Sequence, residues 1–194
     1  QIEALLGYED RAMVMAETYG LWAIETDRPR TRALLSFSGA DPGIHVVQDI
    51  IKFRELKLRL LNASHNLSSA IGFLSGFGTV REAMENSDFN KYMEDLILGD
   101  IAMSIVFTAG ITPEEAKSFG QSVLTRYRNP YIGFEWLSIC VQDTSKLRIR
   151  AVPVIRQHYE KYGFVSARLA LSFAAYILFM HVETDGDGRY KGVS

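Results

Sequence analysis

The sequence of 194 residues is short of several things, and each shortage excludes a class of protein. It has one cysteine, Cys140, so no internal disulfide framework is available and a reducing compartment is the natural setting. Cys140 lies in the apolar run SICV, which suits burial rather than reactivity. The four histidines, at 45, 65, 158 and 181, lack H-x3-H spacing and cysteine partners, so no structural metal is expected. Neither sign of charge is in excess: 21 basic and 23 acidic residues leave a formal net charge of −2, which implies no nucleic-acid or other polyanionic partner. The longest apolar stretch, 169–180, is interrupted by Ser172 and falls short of the ~20 residues that cross a bilayer, so no membrane partner is expected either. The opening QIEALLGYED has neither an initiator Met nor a leader, an expectation of a cytoplasmic piece of a longer protein.

What is present is a globular composition, 47% hydrophobic and 23% charged, with enough chain for one good core. Residues 1–18 read as a helix, with Leu5, Met13, Met15 and Ala16 as its apolar positions. Residues 21–24 and 44–47 read as short strands, and Asp27–Arg32 (DRPRTR) as a polar loop between them. Helices then take over. Asp49 is a candidate cap for a segment leading into 57–74. Thr79-x-x-Glu82 and Thr112-Pro-x-Glu115 are capping boxes. A long helix capped by Asp88 carries Phe89, Tyr92, Met93, Leu96, Ile97, Ile101 and Ile105 at helical spacing. Further helices are expected at 134–140, at 149–162 with Pro153 in the first turn, and at 165–182. The expectation is a mostly α-helical single domain over 1–194, with a minor β element near the N-terminus.

The most chemical stretch is Lys57–His65, KLRLLNASH. No Pro interrupts it and the first Gly is Gly72, so it reads as helix. At 100° per residue Lys57 sits at 0°, His65 at 80° and Asn62 at 140°, so the three share one arc. A cation, an amide and an imidazole on one arc can take a proton from a hydroxyl and hold the oxyanion that results. The same residues also read as a solvated lysine, an asparagine bonding a loop and a satisfied core histidine. Leu58, Leu60 and Leu61 are expected to bury Lys57 enough to make it a better base.

Other motifs fail on context. Gly76-Phe-Gly78 imitates a dinucleotide fingerprint, but it follows a helix and Arg81 stands at the third glycine, so it serves better as a link between helices. Asp185-Gly-Asp187-Gly suggests a calcium loop, but Tyr190 occupies the position of the required glycine. Asn62-Ala-Ser64 and Asn66-Leu-Ser68 match the glycosylation pattern by chance, on a helix. Arg126-Tyr-Arg128 alternates basic and aromatic residues without forming a nucleic-acid footprint.

K-x4-N-x2-H within KLRLLNASH, followed by GFGTVREAMEN and YRNPYIGFEWLSICVQDTSKLRIRAVP and preceded by LGYED and AETYGLWAIE, resembles the mannitol dehydrogenase family of long-chain polyol and sugar-acid dehydrogenases. The likeness covers nearly the whole chain and is nearest to the tagaturonate-reducing members. It implies a multi-helical C-terminal domain of the 6-phosphogluconate dehydrogenase C-terminal type, with an N-terminal Rossmann domain that binds NAD lying outside this chain. It also implies that Lys57 is the general base, that Asn62 and His65 bind the reacting oxygen, that Lys146 meets the far end of the substrate, and that no metal takes part. The substrate is then a keto-uronate or aldonate of the tagaturonate–altronate kind, with fructuronate or a neutral polyol such as mannitol as the alternatives within the family and a non-catalytic helical interaction module as the alternative outside it. Two positions depart from the pattern. Ala63 stands where members often have Gly. Arg54 stands where mannitol dehydrogenases carry Glu, with Glu55 following, which tilts the reading away from mannitol.

Overall fold

The computed structural model describes residues 2–14 and 16–181; Met15, Val182 and the candidate calcium loop at 185–190 lie outside the described residues. The chain divides into two compact units, Gln1–Ile50 and Ile51–Ser194.

The first unit is small and open. Helix α1 spans only Ile2–Leu6, with no buried residue. The expected helix over 1–18 stops there because Gly7 turns to φ 74, donating to the Glu3 carbonyl at 2.9 Å, and the Asp10 side chain then accepts from Ala12 N in a tight turn. Strands β1 (Trp22–Glu25) and β2 (Ile44–Val47) pair in parallel, Trp22 opposite Ile44. A parallel pair needs a crossover, and the supposed polar loop supplies part of it. Pro29 opens helix α2 (Pro29–Leu34), because a proline at the first helical position forfeits only an N–H that has no helical acceptor anyway. Trp22 stacks on Phe37 at 5.4 Å. Gly43 is required as glycine, since a Cβ there would meet the Gly20 carbonyl oxygen at 2.5 Å.

The described part of the second unit is mostly helical, with one isolated bridge between Thr79 and Glu135. Helix α3 (Ile51–Leu56) runs through a π-helical segment (Lys57–Ala63) into α4 (Ser64–Leu74). The Gly76–Gly78 turn then links α4 to α5 (Val80–Glu85), where the Thr79 capping box is formed. Asn86, not Asp88, caps α6 (Ser87–Glu94), its side chain accepting from Asp88 N and Phe89 N. A second π-helical segment (Asp95–Ile101) leads into α7 (Ala102–Ile105). Helix α8 (Pro113–Tyr127) opens on the Thr112 capping box with Pro113 at its first turn, and α9 (Trp136–Cys140) is short. Helix α10 spans Asp143–Tyr162, six residues earlier than the expected start at 149, so Pro153 lies deep inside it rather than in its first turn. Helix α11 spans Ala167–Met180, opened by the Ser166 side chain.

The motif helix is the centre of this unit. Leu56, Leu60, Ala63 and Leu67 turn inward and meet Met93, Leu96, Ile97 and Ile101 from the second π-bearing helix, with Val123 and Leu124 of α8. The two π-helical segments touch. Helix α8 approaches both closely because Gly120 has no side chain; a Cβ there would meet Leu98 at 2.8 Å and Ile97 at 3.2 Å. On α4, Gly72 leaves room for the fully buried indole of Trp136, which a Cβ would meet at 2.6 Å. Cys140 is buried, and burial pushes its thiol up to about 11.

Gly72→Ala separates packing from propensity. Alanine is the better helix former by about 1 kcal/mol, yet the rigid indole cannot yield to the methyl. Thermal unfolding of the variant should show a net loss of about 1–3 kcal/mol, the usual cost of overpacking; a gain in stability would show that Trp136 does not rest on this glycine.

Candidate active site

The turn that carries the motif is wider than an α-helical one. In the segment Lys57–Ala63 the backbone N–H groups reach back five residues rather than four. Such a turn holds roughly 4.4 residues, about 82° each. Lys57 and Asn62 are five apart, so their separation falls from 140° on an α-helix to roughly 50°. Continuing through Ala63 into α4 places His65 roughly 30° to the other side of Lys57. On these ideal pitches the three side chains share an arc of roughly 80°. Leu56, Leu60 and Ala63 face the core, and the arc faces away from it.

Lys57 is exposed, and Asn62 and His65 are half-buried. The leucines do not bury Lys57 as expected: Leu60 is fully inside the core, directed away from the ammonium. Among the described residues Lys57 has no ion-pair partner and the Asn62 amide no hydrogen-bond partner. Ala63, where the family pattern often has Gly, is fully buried, so its methyl stands away from this face.

Two flanking helices hold the turn. From α8, the Tyr127 hydroxyl donates to the Leu61 carbonyl at 3.0 Å and lies 2.7 Å from Ser64 Oγ, which itself donates to the Leu60 carbonyl at 2.6 Å. Burial pushes the Tyr127 phenol far above its usual range, so it stays protonated and able to donate. Its ring stacks on the His65 imidazole, centroids 4.4 Å apart and planes within 11°. Phe134 stands 6.2 Å from the same imidazole, on a loop fixed by Val80 N donating to the Phe134 carbonyl at 2.8 Å. From α10, Arg59 Nη1 is bonded to the carbonyls of Ile149 at 2.7 Å and Arg150 at 3.0 Å. The Arg59 guanidinium also pairs with Glu55, at 2.9 and 3.3 Å.

His65 is held neutral. Burial first, then the nearby cations Arg126 and Arg150, lower it to about 3. Its Nε2 is buried and has no hydrogen-bond partner. A buried nitrogen left unpaired costs about 1–3 kcal/mol, a cost that a bound oxygen would remove. A partly buried polar chain starts from Arg150. Arg150 Nη1 donates to Asn66 Oδ1 at 3.1 Å, and Asn66 Nδ2 donates to Asp143 Oδ1 at 2.6 Å. Asp143 is fully buried, and that burial raises its carboxyl to about 6.

Lys146 stands on a different helix, in the first turns of α10. It is half-buried, and its ammonium donates to the Ile139 carbonyl at 3.0 Å. The residues that sequence reasoning missed are Arg59, Asn66, Tyr127, Phe134, Asp143 and Arg150. Tyr127 stood inside the basic–aromatic alternation noted at 126–128, but nothing in that pattern indicates a stack on His65. No groups of three or more His, Cys, Asp or Glu that could hold a metal occur among the described residues.

The description "Mannitol dehydrogenase C-terminal domain" matches residues 49–191 of this chain. Altronate oxidoreductase of Pectobacterium carotovorum is 33% identical over 191 residues, 97% of this chain and 38% of that protein. Altronate oxidoreductase of Bacillus subtilis is 32% identical over 181 residues, 93% of this chain and 36% of that protein. The chain thus spans well under half the length of these relatives. Among solved structures, a substrate-free D-sorbitol dehydrogenase shares the fold, with a TM-score of 0.76 at 23% identity, covering 100% of this chain and 38% of that one. Pseudomonas fluorescens mannitol 2-dehydrogenase, in a ternary complex with NAD and D-mannitol, matches with a TM-score of 0.63 at 28% identity, covering 77% of this chain and 29% of that one.

The depressed imidazole has a consequence for stability. Below about 6.5 the unfolded chain takes up a proton at His65 that the folded chain refuses until about 3, so this residue lowers stability as pH falls through that window. Asp143 acts oppositely below about 6, but it is common to wild type and a His65→Phe variant that keeps the stack on Tyr127. Denaturant unfolding from pH 7 to 4 should show the wild type losing ground to His65→Phe by up to several kcal/mol, since each tenfold loss of proton affinity is worth about 1.4 kcal/mol. Parallel curves would mean that the imidazole is not held neutral.

Proposed function

Because the chain belongs to the mannitol dehydrogenase family, through that family's C-terminal domain, we propose that it is the substrate-binding, catalytic part of an NAD-dependent oxidoreductase interconverting a keto-uronate and an aldonate, of the tagaturonate–altronate kind. The observation that carries this reading is the set of unpartnered polar groups on one arc of the motif helix: the Lys57 ammonium, the Asn62 amide and Nε2 of His65.

Each has a role in that reading. Lys57 takes the hydroxyl proton during oxidation and returns it during reduction. Asn62 donates its amide N–H to the oxygen as charge develops there. His65, being neutral, orients the same oxygen without competing for the proton. A nicotinamide supplies the hydride acceptor. The described residues do not suit the dinucleotide itself, because the Gly76–Gly78 turn follows a helix and leads into one of six residues, with no strand before it. We assign the dinucleotide to a Rossmann-type domain outside this chain.

A carboxylate on the substrate would be favoured by the positive charge of Arg126 and Arg150 near His65, of which Arg150 already donates to Asn66. Lys146 is proposed as a further contact, since an ammonium has three donors and one is given to Ile139. A neutral polyol is the second reading, favoured by that same engagement of Lys146. The single cysteine is buried and no helix among the described residues is long and apolar enough to cross a membrane, and we propose the cytoplasm as the working compartment.

Nicotinamide reduction by the full-length protein should be assayed against a panel of aldonates and polyols, with oxidation rates followed across pH. We expect turnover with an aldonate, rising with pH. Lys57→Ala should lose that rise and roughly 10²–10⁴-fold in rate, whereas His65→Ala should slow the reaction and keep the rise. Near-native turnover by Lys57→Ala with an unchanged profile would remove Lys57 as the base.

A further inference from the structure

We propose that Arg59 is a positioning residue for the reaction, a clamp that sets the rotational register of the wide turn and is itself anchored by Pro153. This rests on the reading of Lys57, Asn62 and His65 as the groups around the reacting oxygen.

Arg59 lies inside the π-helical segment, two residues after Lys57 and three before Asn62, and is only 8% exposed. Its guanidinium is used on two sides. Nε and Nη2 bond the two carboxylate oxygens of Glu55, on α3, at 2.9 and 3.3 Å. Nη1 donates to the carbonyls of Ile149 and Arg150, on α10, at 2.7 and 3.0 Å. A buried cation is costly unless paired, and Glu55 pairs it. The same pairing occupies the Glu55 carboxylate.

The carbonyl that receives the shortest of these bonds is special. In an α-helix the Ile149 carbonyl would accept from the N–H of residue 153, but residue 153 is proline and has none. Pro153 therefore leaves α10 with an unfilled acceptor, and Arg59 fills it from the neighbouring helix. The proline costs α10 one internal bond, and that missing bond fixes where the arginine must sit.

The register of the turn depends on that seat. Were Lys57–Ala63 to relax to an α-helix, the angle from Lys57 to Asn62 would open from roughly 50° to 140°, and the ammonium and the amide would no longer face one oxygen. Lysine cannot substitute, since it lacks the planar fork that meets a carboxylate and two carbonyls at once.

The test uses the full-length protein and the variants Arg59→Lys, Arg59→Met, Pro153→Ala and the double variant Arg59→Met/Pro153→Ala. Melting temperature, kcat, KM and the pH profile of oxidation are measured for each, and a crystal structure is obtained for a variant lacking Arg59. Arg59→Met should lower the melting temperature and reduce kcat on the order of 10²-fold, the scale of an ångström-level misplacement, with a much smaller change in KM. Arg59→Lys should lie between it and wild type. In the double variant the Ile149 carbonyl regains a helical N–H while Glu55 stays unpaired, so the melting temperature should recover in part while kcat stays low. Recovery of both would reduce Arg59 to filling a carbonyl and overturn the proposal. So would a variant structure without Arg59 in which Lys57–Ala63 is still π-helical, and that result is read without any activity assay. Full activity in Lys57→Ala would instead overturn the functional reading and leave the structural half of the clamp to be judged by the crystal structure alone.

Discussion

The wide turn at Lys57–Ala63 carries the motif residues and places Arg59, Leu60 and Ala63 in the interior of the helical unit. A single-turn departure from α-helical pitch inside a long helix is rare, and such departures gather at functional positions. Here it must be held against the more regular alternative, and the neighbours do so. Tyr127 and Ser64 supply hydroxyls to the carbonyls of Leu61 and Leu60 at the end of the turn. Arg59 ties its middle to α10. The second π-helical segment, Asp95–Ile101, lies against it, and Gly120 lets α8 approach closely. That segment has its own anchor: the buried Asp100 carboxylate receives Arg168 at 2.6 and 3.2 Å.

Electrostatics follow from the same geometry. Tyr127 both bonds the turn and covers one face of His65, so the contact that stabilises the backbone also excludes water from the imidazole. With Arg126 and Arg150 nearby, protonation of that imidazole is disfavoured twice over. The result is an exposed ammonium beside a neutral ring and a free amide, a donor-rich face suited to an oxygen that gains negative charge.

Much of the fold was legible in the sequence because its signals are local. The capping boxes at Thr79 and Thr112, the strand at 44–47 and the apolar spacing from Phe89 to Ile105 each rest on neighbours within a turn or two. The failures were of two kinds. A proline was read by its local effect alone, so Pro29 hid a helix start and Pro153 falsely marked one, although Arg59, 94 residues earlier, compensates it from another helix. The change of pitch at Lys57 was invisible because periodicity assumes a fixed angle. The motif could be picked out in the sequence, but a fixed 100° per residue does not hold where the pitch changes. The groups that hold them, buried Arg59 and Tyr127 and half-buried Arg150, have no local signature.

We propose that the pitch of this turn makes a sequence motif into a site around one oxygen. A crystal structure of the full-length protein with NAD and an aldonate tests it most directly. Lys57–Ala63 is expected to be π-helical there, with the substrate's reacting oxygen within about 3 Å of Lys57 Nζ, the Asn62 amide nitrogen and a ring nitrogen of His65. A substrate oxygen beyond reach of two of the three, or a turn that is α-helical when substrate is bound, would contradict it.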